Sequence, residues 1–299
     1  MSLVRLRDGE QLYVRVIGRG RPVMLLHGFA MHSLHWLPFA LPLAGRYRFI
    51  LPDLRGFGRS HDVPFNTSDV LRNHAEDVED VLNYFGIHKV MLGGISMGAY
   101  TGLQLNRMGV FERVGKYLHI DQSPQSRNHG GWDLGLFGRM QQREFQRLRE
   151  MVREAESYGP QTSYWSLPED VRRRMRESLA DFFCYAFSKP HHHFLAQRLK
   201  QYEKLMTRVI PVRNWYAYIQ VLRSYMDEDY DMRDTLAHIR TPMTVMVGMR
   251  SRMYPAAGQL FIRSQVPHAR VVRFEKSGHV PMIDEPVKFQ WNLAQFLAA

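Results

Sequence analysis

Cysteine is nearly absent: the 299 residues contain one, Cys184. A single thiol cannot form an intrachain disulfide or supply a cysteine-based metal site. Long hydrophobic runs are missing too. No stretch approaches 18 apolar residues without a charge, which argues against a membrane-spanning helix, and Met1 to Asp8 carry no apolar run of signal-peptide length. A soluble, reduced, cytoplasmic protein with no stable membrane insertion is the expectation. Acidic residues are in short supply, 29 Asp and Glu against 40 Lys and Arg, for a formal charge of +11. Such an excess suits an anionic partner or plain surface composition. The basic residues are spread along the chain, and no basic run is interleaved with aromatics, so nucleic acid is not an expected partner. There are no internal repeats and no low-complexity tracts. Hydrophobic residues make up 45%, enough for a full core.

What is present is an alternation of short apolar runs and longer helical patterns. Gln11–Ile17 alternates polar and apolar residues as a hairpin strand does. Val23–Leu26, Phe49–Leu51, Lys89–Leu92 and Tyr117–Ile120 read as buried strands. Ala75–Phe85 puts Val78, Val81, Leu82 and Phe85 on one helical face, and Met97–Met108 reads as a second helix. This grammar predicts an α/β fold with a mostly parallel central sheet flanked by helices. From Gln122 to about 231 helical periodicity takes over, in Arg139–Ala155 and Val171–Phe187, with a Ser166/Glu169 capping-box spacing before the latter. Strands resume at Thr241–Val247 and Arg270–Phe274, and a helix at Pro286–Leu297 closes the chain. The expected organisation is a core of 1–121 and 232–299 interrupted by a helical insertion, 122–231.

Three segments carry chemistry. Gly94-Ile95-Ser96-Met97-Gly98 is a G-x-S-x-G element between a strand and a helix, where a tight turn would lift the Ser96 hydroxyl clear of the sheet. The flanking glycines are needed because side chains there would collide with neighbouring backbone. His27-Gly28-Phe29 follows another strand. The backbone N–H of Phe29, with that of Met97, could hold the oxyanion of a tetrahedral intermediate. Ser277-Gly278-His279 follows the last strand, placing His279 to take the serine proton and return it to the leaving group.

Together with Asp53-Leu54-Arg55-Gly56-Phe57-Gly58-Arg59-Ser60 and an insertion of cap size, these motifs resemble the α/β-hydrolase superfamily, in its capped serine esterase and haloperoxidase-like branch. The resemblance covers nearly the whole chain. It implies a triad acid after the strand preceding the histidine strand, in a G-x-x-D segment. Here that segment runs Gly248-Met249-Arg250-Ser251, and Ser251 cannot act as a carboxylate. A variation within the superfamily places the acid one strand earlier, which falls on Asp121. Asp227, Glu228 and Asp229 are fallback candidates, and Asp284 a weaker one. The resemblance implies that Asp53 and Arg55 shape a loop rather than react.

The expected activity is hydrolysis of a carboxylic ester through a Ser96 acyl-enzyme, with His279 as base, Asp121 as the relocated acid and no metal or organic cofactor. Ser96 in place of an aspartate argues against haloalkane dehalogenase and epoxide hydrolase chemistry. Thioesterase, lactonase, C–C bond hydrolase, perhydrolase side activity and cofactor-independent dioxygenase remain as enzymatic alternatives, and a non-hydrolytic ligand-binding protein as a different class. The partner is a small acyl substrate; self-association stays open. His35, Trp36 and the insertion residue Trp132 are candidate substrate contacts. His191-His192-His193 reads as a surface or cap feature rather than a metal site, since three consecutive histidines cannot face one way on a helix. Arg172-Arg173-Arg174 reads as a solvated helix face and Cys184 as a packing residue.

Overall fold

In the computed structural model, residues 2–209 and 214–299 are described; Met1 and positions 210–213, the latter inside the expected insertion, lie outside the described residues. The strands are β1 (Ser2–Arg5), β2 (Gln11–Gly18), β3 (Arg21–Leu26), β4 (Tyr47–Pro52), β5 (Val90–Ile95), β6 (Val114–Ile120), β7 (Met243–Gly248) and β8 (Arg270–Phe274). They form one sheet in the order β1-β2-β4-β3-β5-β6-β7-β8. The first two strands join antiparallel; all later pairings are parallel. Strands β5 and β7 are buried along their whole length. That is why they read as unbroken apolar runs and not as alternation.

Helix α1 (Val70–Tyr84) starts five residues before its apolar stripe suggests, because the Asp69 carboxylate accepts from the Arg72 N–H at 2.9 Å and caps it. Helix α2 (Met97–Arg107) packs on β5. Between β6 and β7 come α3 (Gln141–Glu156), α4 (Glu169–Ala186), α5 (Pro190–Leu199), α6 (Glu203–Val209) and α7 (Trp215–Asp227). Helix α3 packs against both α4 and α7. An antiparallel bridge between Gln125 and Asp231 ties the two ends of this segment together. Helices α8 (Ala256–Gln265) and α9 (Pro286–Ala298) complete the core.

The capping box expected at Ser166 does not form. Leu167 and Pro168 are both extended, with ψ near 147° and 146°, so Ser166 is carried away from the first turn of α4. A residue before proline is pushed out of the helical region. The Ser166 hydroxyl instead meets that of Ser163 at 2.8 Å.

Candidate active site

Ser96 sits between β5 and α2 with φ +52° and ψ −121°, a left-handed backbone unusual for a residue with a side chain. The turn depends on its glycines. A Cβ on Gly94 would strike the Gly98 carbonyl group, and one on Gly98 would strike the Leu26 carbonyl. Gly28 lies against the serine: a Cβ there would come within 3.4 Å of the Ser96 Cβ. Phe29 is therefore held beside the nucleophile position. Met97 is the first residue of α2, where a backbone N–H has no intrahelical partner.

Asp121 follows β6 directly and is wholly buried, again at positive φ (+44°). Its Oδ1 lies 2.8 Å from His279 Nδ1. The Ser251 hydroxyl donates to the same oxygen at 2.8 Å, and the Gly248 N–H donates to Oδ2 at 2.7 Å. Burial pushes the Asp121 carboxyl up, and the bonds from His279, Ser251 and Gly248 oppose that shift. A carboxylate facing Nδ1 places the proton there and leaves Nε2 as the basic nitrogen. Ser251, at the position where an acid was expected, thus donates to Asp121. Sequence reasoning noticed the missing acid but not this second role. A serine facing an adjacent strand end was the signal available.

The loop bearing His279 is tied down from two sides. The His279 N–H donates to the Ala186 carbonyl at the end of α4, at 2.9 Å. The Gly278 N–H donates to Asp284 Oδ2 at 2.7 Å, and the Ser188 hydroxyl reaches the same oxygen at 2.9 Å. The Tyr254 ring lies 5.7 Å from the His279 ring.

Ser96 and His279 line one cavity, together with Gly28, Phe29 and His35. A second cavity also reaches Ser96, walled by Phe145, Leu222, Tyr225 and Met226. Trp36 and Trp132 line neither. Trp36 is fully buried 6.3 Å from Phe289, and Trp132 packs 5.2 Å from Phe261 under Arg233.

The fallback acids lie elsewhere. Asp227 pairs with Arg149 at 3.6 Å, exposed Asp229 sits 3.2 Å from His129, and Glu228 directly follows α7. Asp284 is buried, but its carboxylate serves the loop backbone. Asp53 accepts from the Ser33 and Arg59 N–H groups at 2.6 and 2.8 Å, and Arg55 pairs with Asp8 and Asp77 at 2.7 Å each, so this segment builds loops. The arginine triplet differs from a free solvated face. Arg172 pairs with Glu169 and Glu203, Arg173 with Glu177, and Arg174 with Glu154 and Asp170. His193 donates to the Phe187 carbonyl, and His192 faces Asp284 at 3.5 Å. No metal-binding group of His, Cys, Asp and Glu occurs among the described residues. Cys184 accepts from the Gln197 amide at 3.2 Å.

Comparison with known proteins agrees with this architecture. The AB hydrolase superfamily protein YisY of Bacillus subtilis is 25% identical over 296 residues, covering 98% of this chain and 97% of its own. The pimeloyl-[acyl-carrier protein] methyl ester esterase of Vibrio cholerae is 24% identical, covering 95% and 97%. The structure of an esterase from Exiguobacterium antarcticum superposes with a TM-score of 0.79 at 23% identity, covering 100% of this chain and 99% of that one. Residues 23–289 match the profile of the Alpha/beta hydrolase family, and the chain belongs to that family.

Proposed function

We propose that the protein is a serine esterase working through an acyl-enzyme on Ser96, with His279 as general base and acid and Asp121 as the acid of the triad. The observation that carries this reading is the 2.8 Å bond between His279 Nδ1 and the buried Asp121 carboxylate, in a histidine that shares a cavity with Ser96. The Ser96 hydroxyl attacks the ester carbonyl while His279 Nε2 takes its proton. The oxyanion that forms is held by the backbone N–H groups of Phe29 and Met97. His279 then protonates the departing alcohol. Water enters, loses a proton to the same nitrogen, and releases the acid. Asp121 holds the imidazole in the required tautomer throughout. The chemistry balances with water alone and needs no metal or organic cofactor. The names of the relatives, several of them esterases, support ester bonds as the target.

Residues 122–231 act as a cap over this site. The bridge between Gln125 and Asp231 at its neck supports those boundaries, and Phe182 of α4 reaches both cavities at Ser96. The test is a panel of esters, thioesters and lactones on wild type and Ser96→Ala. Ester turnover should fall by a factor of about 10⁴ or more in the variant. A Ser96→Ala enzyme that still hydrolyses esters at the wild-type rate would sink the proposal.

A further inference from the structure

Two cavities of very different size meet at Ser96. They share Ser96, Phe29 and Phe182, whose rings stand edge to face 5.2 Å apart and mark the divide. The cavity that includes His279 has a volume of about 210 Å³. The one beyond Ser96 has a volume of about 30 Å³. The second cavity is thus the smaller of the two and suits the smaller half of a substrate.

Resting on the esterase reading, the chemistry decides which half of the ester enters each cavity. The departing oxygen must receive its proton from His279, so the alcohol half leaves on the side His279 lines. The acyl half stays bonded to Ser96 Oγ and must extend the other way. Both cavities are mostly apolar, and neither lysine nor arginine is among their described lining residues. The small one is closed by side chains already committed elsewhere. Phe29 also packs edge to face on Tyr218 and Phe57, at 5.4 and 5.9 Å, and Leu222 and Tyr225 belong to the buried face of α7. Opening it further means breaking native packing.

We infer that the protein is selective for esters whose acyl half is the smaller one, with a larger, uncharged, apolar alcohol or phenol, and that Phe29 and Phe182 divide the two halves. The step is ordinary ester hydrolysis: the acyl C–O bond to the alcohol breaks, a new one forms to Ser96 and then to water, and the alcohol leaves with the proton from His279.

Octyl acetate and methyl nonanoate test this, because they are isomers that differ in which half is long. Measured by pH-stat on the full chain, kcat/KM should be higher for octyl acetate by about tenfold or more. Equal or reversed selectivity, with turnover that Ser96→Ala abolishes, overturns the inference and leaves the esterase reading standing. Turnover of neither isomer, or turnover indifferent to Ser96→Ala, overturns both. Leu222→Ala enlarges the small cavity and should raise methyl nonanoate relative to octyl acetate by about fivefold or more; an unchanged ratio in a folded variant counts against the assignment. Should that variant fail to fold, Ile283→Trp makes the complementary change. Ile283 lines the large cavity and is 42% exposed, so the fold should stand. It should depress octyl acetate more than ethyl acetate, and equal effects on both would again overturn the inference.

Discussion

At the scale of single residues, the site turns on how one carboxylate is held. Asp121 is fully buried, and an isolated buried charge is strongly disfavoured. Three donors, the His279 ring, the Ser251 hydroxyl and the Gly248 N–H, offset that penalty. Asp121→Asn keeps the shape but loses the charge and favours the wrong imidazole tautomer. Ester hydrolysis should fall roughly 10³–10⁴-fold while the thermal transition moves little. Ser251→Ala removes one donor to a charged acceptor, usually worth about 1.5–3 kcal/mol, so activity should fall about tenfold or somewhat more. If Asp121→Asn is near-fully active and a change at Asp227 or Asp229 is not, the acid has been misassigned. The absence of an acid at position 251 was legible in the sequence. The donor role of the serine there was not, because it needs the distance between two segments 130 positions apart.

At the scale of elements, the parallel strands explain how a carboxylate after β6 reaches His279. β6 and β7 are hydrogen-bonded neighbours, with Ile120 opposite Met246, and the Asp121 N–H donates to the Met246 carbonyl at 2.9 Å. A shift from the end of β7 to the end of β6 is one strand spacing, roughly 4.8 Å, within reach of a side chain. The segment between β6 and β7 contributes an element-level contact as well: the end of α4 accepts the His279 N–H, and Ser188 joins Gly278 on the Asp284 carboxylate. Asp284→Ala would strand both donors. It should cost about 1–3 kcal/mol in urea unfolding and lower kcat by loosening the His279 loop, without the near-complete loss expected at Asp121. Full stability in this variant would show that the Gly278 and Ser188 bonds are replaced by water.

At the scale of the whole molecule, the net charge of +11 is not concentrated at the cavities that reach Ser96. The arginines of α4 are matched to acidic partners, and the cavities at Ser96 hold no described lysine or arginine. Acid sensitivity has a different source, the buried histidines. Desolvation lowers His27 and His119 to about 4 and His74 to about 3. His27 shows why it stays neutral: Nδ1–H donates to the Gly28 carbonyl while Nε2 accepts from the Leu54 N–H, so a second proton would break a bond. Below the unfolded value of about 6.5, the unfolded chain binds protons that the folded chain refuses, so stability falls as pH falls, by roughly 1.4 kcal/mol per pH unit for each histidine. Asp77 is pushed up to about 6 by burial, against the pull of Arg55. It titrates in the opposite sense and cancels about one histidine. Unfolding free energy should be flat above about pH 7 and fall between pH 6 and 4.5. His119→Gln should make that fall shallower; an unaltered slope would rule out this origin.

The sequence by itself determined the family and most of the machinery. The Gly94–Gly98 turn and the His27-Gly28 loop are devices whose glycines answer to backbone within a few residues or at a strand end, whereas Gly278 answers to the distant Ala186–Ser188 backbone, and strand and helix periodicities are local. The superfamily resemblance pointed to the residue after β6, and Asp121 there does bond His279. The Ser166 cap failed at the same local scale, where a following proline outweighed a spacing rule. Only the tertiary structure decided what depends on distance between remote segments. Trp36 packs in the core and Trp132 against Phe261 and Arg233, contacts that no local pattern in the chain specifies. The partnership of Ser251 with Asp121, the grip of α4 on the His279 loop, and the unequal cavities that reach Ser96 arise from groups far apart in the chain, where volume and hydrogen-bond geometry, not sequence spacing, set the outcome.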